Sequence, residues 1–117
     1  MASSGSPKYV ALNPSSSGDN TIVTGVTGYR IVVVGWNLLA TGTVTATWYD
    51  GASSGNANLS GGYQFTAQAG IVCPITPATE FFQGGWMQTS AGNNLVLKLS
   101  GATEVDGQLA YVLVRET

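Results

Sequence analysis

The chain has 117 residues, 44% of them apolar and only 9% charged, with a net charge of -2. That length holds one domain with a buried core, and the apolar content separates it from disordered, charge-poor sequences. The four basic residues, Lys8, Arg30, Lys98 and Arg115, are scattered, so nothing grips a phosphate backbone and nucleic-acid binding is not expected.

In chain order, residues 1–20 are rich in Ser, Gly and Pro and read as a flexible N-terminal arm, with Lys8, Tyr9, Val10, Ala11 and Leu12 as a short strand within it. Residues 21–117 read as the folded domain. Residues 21–26 form one β-type run closed by Thr27 and Gly28. Residues 29–39 form the longest run, with Ile31, Val32, Val33 and Val34 apolar on both faces, as in a strand covered on both sides. Residues 43–49 alternate, Val44, Ala46 and Trp48 pointing one way and Thr43, Thr45 and Thr47 the other. Asp50-Gly51 is a turn signal, and residues 52–57 form a loose loop. Residues 62–67 alternate again, and residues 71–75 follow a Gly70 turn, with Pro74 marking that strand as an edge or a strand end. Residues 76–82 suit a short helical turn. Residues 85–89 carry Trp86 and Met87, and Ala91, Gly92 and Asn93 make a turn. Residues 94–100 alternate with Leu95, Leu97 and Leu99 inward, Asp106-Gly107 signals another turn, and residues 108–115 close the domain.

Eight or nine short strands with turn signals about every ten residues predict an all-β single domain: a β-sandwich, a jelly roll or a small barrel. No fixed-period repeat points to a solenoid. The start of the chain has no apolar middle of the signal-peptide kind, and residues 31–40 are too short to span a bilayer. The expectation is therefore a protein made and kept in the cytosol until assembly, without membrane contact.

Chemistry-bearing residues are scarce. Histidine is absent, so the Ser-His-Asp, Cys-His and zinc-histidine arrangements cannot be built. The lone Cys73 sits in an apolar run and reads as a small core residue. Asp50 with Glu80 is the one conceivable carboxylate pair from the middle of the domain, but Asp50 and Asp106 also serve as turn formers. Glu104 and Asp106 could share a cation, although a solvated turn explains them too. No phosphate-cradling or calcium-loop motif occurs. The expectation is a non-enzyme with no catalytic residue, cofactor or metal. Trp36, Trp48, Trp86, Tyr49, Tyr63 and Tyr111 could instead form a sugar-stacking platform, although the spacing of Trp48 is that of core packing. Between Arg30 and Lys98 the only charged residues are Asp50 and Glu80. A surface of Ser, Thr, Asn, Gln and Gly is cheap to desolvate and suits repeated subunit contact.

Several segments resemble a family of small structural proteins of tailed phages. They are Gly42-Thr43-Val44-Thr45, Leu59-Ser60-Gly61-Gly62, Ala69-Gly70-Ile71-Val72-Cys73-Pro74, the run from Gly85 to Gly92 with Trp86 and Thr89, and the alternating strand from Asn94 to Leu99. The resemblance spans residues 29–115, with Met87 where the family has an aromatic. It implies a virion β-sandwich, a capsid decoration or cement protein that binds the major capsid protein and forms a homotrimer. Lys8, Tyr9, Val10, Ala11 and Leu12 are then the candidates for capsid contact. Phe81, Phe82 and Trp86 are those for self-association. The alternatives are a carbohydrate-binding module and a neck, tail or baseplate component.

Overall fold

The computed structural model describes residues 7–74 and 86–115. These residues form nine strands, β1 (Lys8–Leu12), β2 (Gly18–Val23), β3 (Tyr29–Ala40), β4 (Val44–Asp50), β5 (Tyr63–Phe65), β6 (Gly70–Cys73), β7 (Met87–Gln88), β8 (Leu95–Leu99) and β9 (Val105–Arg115), and one short 3-10 turn at Ser53–Gly55. The helical turn that the sequence suggests at residues 76–82 lies outside the described residues.

The strands make two antiparallel sheets. Sheet A runs β1-β9-β3-β6, with β7 also on β3, and sheet B runs β2-β8-β4-β5. With the two-residue β7 set aside, sheet A holds the first, eighth, third and sixth strands and sheet B the second, seventh, fourth and fifth. That is the order of a jelly roll, two Greek keys closed on one core. The all-β sandwich expected from the sequence is the fold.

The sandwich starts earlier than residue 21: residues 8–12 and 18–20, expected in an arm, are strands of its two sheets. The five residues of β1 pair with Tyr111, Ala110, Leu109, Gln108 and Gly107 of β9, and β2 pairs with β8 from Gly18 onward. The cause is apolar alternation inside the Ser-rich stretch. Leu12 is in the core at 3% exposure, and Val10 packs against it. The residues between β1 and β2 form a connection, fixed where the Val105 N–H donates to the Pro14 carbonyl at 2.9 Å.

The core lies between the sheets. Val44, Ala46 and Trp48 of β4 and Leu95, Leu97 and Leu99 of β8 all point inward, as their alternation requires. From sheet A come Ile31, Val33, Trp36, Leu38 and Ala40 of β3. The inward phase changes between Val33 and Trp36, and the ladder to β9 shifts register between Val33 and Gly35 to allow it. Trp36 meets Trp48 edge-to-face, with ring centroids 5.5 Å apart and planes at 75°. Neither indole N–H has a hydrogen-bond partner among the described residues. A second buried cluster, Val32, Val34, Ala110, Val112 and Val114, lies on the opposite face of sheet A. β3 is therefore buried on both faces from Ile31 to Val34, and its outer face opens to solvent at Leu39.

Asp106-Gly107 is not a turn but the second and third residues of β9. Its glycine is required by a tertiary contact. A Cβ at Gly107 would stand 2.0 Å from the Asn37 carbonyl oxygen of the neighbouring strand.

The segment from Trp86 to Gly92 is tied along β3 by a three-residue beat. The N–H groups of Trp86, Thr89 and Gly92 donate to the carbonyls of Val33, Ile31 and Tyr29 at 2.8, 2.9 and 2.9 Å. The Thr89 hydroxyl accepts the Ile31 N–H at 3.0 Å inside a site where Thr89 is 2% exposed. Gly92 has φ +83°, which lets the chain turn away after the last bond.

Two expectations follow from these contacts. Thr89→Val leaves a buried N–H unpaired and should cost about 1–3 kcal/mol in urea unfolding, whereas Thr89→Ser, which keeps the acceptor, should cost clearly less. Trp48→Ala should cost about 3–5 kcal/mol. Trp48→Phe should cost less than half of that, because the lost indole N–H has no partner to abandon.

Candidate contact surface

On sheet A, residues out of phase with the core point away from sheet B. They include Tyr9 and Ala11 on β1, Gln108 on β9, Asn37 and Leu39 on β3, Val72 on β6 and Trp86 just before β7, whereas Val32, Val34, Ala110, Val112 and Val114 in the same phase are buried. The register places them side by side: Tyr9 beside Ala110, Gln108 beside Asn37, and Asn37 beside Val72.

Four of these side chains are large, apolar and solvent-exposed. Tyr9 is 63% exposed, Leu39 48%, Val72 73% and Trp86 47%; among the described residues Val26, in the loop after β2, is the other such residue. Four from one sheet face form a patch rather than scatter. The only charged side chains of β3 and β9 in this outward phase are Arg30 and Asp106, near opposite ends of the strands. Arg30 donates through Nη1 to the Gln88 side-chain oxygen. Between them the patch is uncharged. A groove of about 160 Å³ crosses it, with Gly35 and Ala110 among its small lining residues and Tyr9, Asn37, Gln108 and Val72 around them.

Trp86 is held in place while exposed, its Nε1–H donating to the Pro74 carbonyl at 2.7 Å. Phe81 and Phe82 lie outside the described residues. Of the five β1 candidates, Lys8, Tyr9 and Ala11 are exposed, Val10 is half-buried and Leu12 is buried. Leu12 is thus a core residue rather than a contact residue, because it alternates with Ala11 toward sheet B.

Most of the rings considered for a sugar platform are inside. Trp48 is fully buried, Trp36 is 5% and Tyr49 9% exposed, and Tyr63 lies tilted against Trp36 with ring centroids 5.5 Å apart. Tyr111 packs against the core. That platform is therefore not assembled; Trp86 alone of the six is exposed.

The polar candidates have local duties. Both carboxylate oxygens of Asp50 accept hydrogen bonds, from the Ser90 N–H and hydroxyl at 3.0 and 2.9 Å and from Asn93 Nδ2 at 3.0 Å, which fastens the turn after β7 to the end of β4. Its proposed partner Glu80 lies outside the described residues. Cys73 is buried, and desolvation pushes its thiol above the ordinary value. No group of three metal-ligating side chains is brought together among the described residues. No helix among them is long and apolar enough to cross a membrane.

Two exposed carboxylates shift in opposite directions. Hydrogen bonds from the Ser53 side chain and backbone hold Asp19 below its ordinary value. A hydrogen bond to Asp106, and then the Asp106 charge, push Glu104 above its own. A carboxyl raised in the folded state is best tolerated protonated, and its destabilising effect grows as pH rises through the folded value. Glu104→Gln should therefore raise Tm at neutral pH. The gain should disappear below about pH 4 and shrink in about 0.5 M salt, as thermal melts across pH and salt will show.

No protein-family model matches this sequence, and the comparison with curated proteins finds no similar chain.

Proposed function

We propose that this chain is a non-enzymatic structural protein of a tailed-phage particle, a capsid decoration protein whose outer face of sheet A seats on the assembled head. The observation that carries the reading is the gathering of Tyr9, Leu39, Val72 and Trp86 on one uncharged sheet face. Such a face loses water at little cost, because no ion has to be stripped of its hydration. Repetition over a shell multiplies weak contacts through effective concentration. The absence of histidine and the scarcity of charge support holding rather than chemical conversion. The resemblance to small virion proteins supports the major capsid protein as partner. The homotrimer rests on that same resemblance.

The groove beside Tyr9, with the amide side chains of Asn37 and Gln108, favours a second reading as a carbohydrate-binding module. A ring flanked by amides is one way to hold a sugar. The uncharged patch extends well beyond that groove, to Leu39 and Trp86, which favours the protein partner.

The test uses the full chain and coat-only heads. Val72→Asp and Leu39→Asp place a carboxylate on the exposed face, where folding does not bury it. Each should leave Tm nearly unchanged and lower head occupancy at least ten-fold in cosedimentation, since burying an unpaired charge costs several kcal/mol. Undiminished occupancy with both variants would overturn the reading. Glycan-array binding abolished by Tyr9→Ala, without head binding, would replace it with the second.

A further inference from the structure

We propose that the outer edge of β1 is a pairing surface for β1 of a second copy of this chain, antiparallel and centred on Val10. This goes beyond head binding and stands or falls independently of it.

A sheet edge presents unpaired N–H and C=O groups that invite another strand, and proteins blunt the edges they do not use. Among the described residues the edge strands are β1 and β6 with β7 in sheet A, and β2 and β5 in sheet B. Several are blunted. The β2 ladder breaks register between Thr21 and Val23. Asn20 Nδ2 also donates to the carbonyls of Ser16 and Gly18 at 2.9 and 3.1 Å, so a side chain occupies backbone acceptors there. β5 has three residues and β7 two. β6 has four and runs directly into Pro74, which has no N–H to offer.

β1 adjoins Pro7 as β6 adjoins Pro74, and it carries Lys8 at one end, but it is the longest edge strand without a register break. Its five residues pair with β9 without a register break, it contains no proline, and no strand among the described residues pairs with its other edge. Its sequence is also self-complementary about its centre. In the antiparallel arrangement Lys8 faces Leu12 of the second copy, Tyr9 faces Ala11, and Val10 faces Val10. The large exposed ring of Tyr9 then crosses the small exposed Ala11, and the strand's one charge lies at the rim, away from its own copy. Parallel pairing would set Lys8 against Lys8, which is repulsive. The two-fold antiparallel contact is isologous and closes on itself, so it makes a dimer rather than a fibre. Val10 packs against the core on the inner side, which gives the joined sheets a continuous apolar underside. Five paired residues bury far less than the roughly 800 Å² per partner of a standard stable complex. The pairing is therefore weak between free molecules and strengthened where copies sit side by side.

The test traps the register by disulfide in the full chain carrying Cys73→Ala. Facing residues in an antiparallel pair have Cα atoms about 4.5–5.5 Å apart, within disulfide reach, whereas residues displaced by two positions lie beyond about 7 Å. Tyr9→Cys and Ala11→Cys are both at exposed positions, so each variant should keep the parent Tm. Under mild oxidation at high protein concentration, an equimolar mixture of the two should yield at least ten-fold more covalent dimer than either variant alone. Equal yields in all three samples, dominant dimer from one variant alone, or no dimer in any would overturn the proposal. Head occupancy is read separately, so failure of one idea leaves the other measurable.

Discussion

The ladder between β3 and β9 is the contact on which the rest of the molecule depends. These two long strands run antiparallel through the middle of sheet A, from Tyr29 beside Arg115 to Ala40 beside Val105. The register shift between Val33 and Gly35 lets Ile31 and Val33 on one side, and Trp36, Leu38 and Ala40 on the other, all face sheet B. Without that shift one half of β3 would turn its apolar residues outward, since a single step of register exchanges the two faces of a strand. β1 lies on the far edge of β9, and β6 and β7 lie on the far edge of β3. The outer patch is thus positioned by the same ladder that closes the core. Tyr9 hangs from β9 through β1, Val72 from β3 through β6, and Trp86 from the Val33 carbonyl.

Much of the core was legible in the sequence. The alternation of Val44, Ala46 and Trp48, and of Leu95, Leu97 and Leu99, states which side is inward, because a pleated strand with one buried face leaves no other choice. The doubly apolar stretch from Ile31 to Val34 foretold a strand covered on both sides. Other features depend on partners that local pattern cannot name. Asp106-Gly107 carries a turn signature, yet the glycine answers to the Asn37 carbonyl of a strand about seventy residues earlier in the chain. The Ser-rich start looked like a linker because its turn residues outnumber its apolar ones. The two inward positions Val10 and Leu12 were enough to seat β1 once β9 offered an edge.

The contact surface was the least legible part. Tyr9, Leu39, Val72 and Trp86 come from four separate segments, and only topology gathers them. A faint signal existed: Leu39 follows inward Leu38, and Val72 lies between Ile71 and Cys73, so each is an apolar residue out of phase with its own core positions. The Trp86, Thr89 and Gly92 spacing was visible as a motif but not as a mechanism. The structure supplies one, a clamp in which every third residue bonds every second residue of β3. Trp36 and Trp48 show the converse. Rings that could have stacked on a sugar are consumed by the core, where their edge-to-face contact joins the two sheets.

A chain so poor in charge and without histidine is suited to cohesion, and the functional account places that cohesion on one face of one sheet. The most direct measurement is a cryo-EM reconstruction of phage heads decorated with this protein. The expected density has Tyr9, Leu39, Val72 and Trp86 against the coat, while Thr45 and Lys98 on the outer face of sheet B look toward solvent. Decorated heads with the sheet A patch turned outward, or heads that carry no density for the chain at saturating concentration, would contradict it.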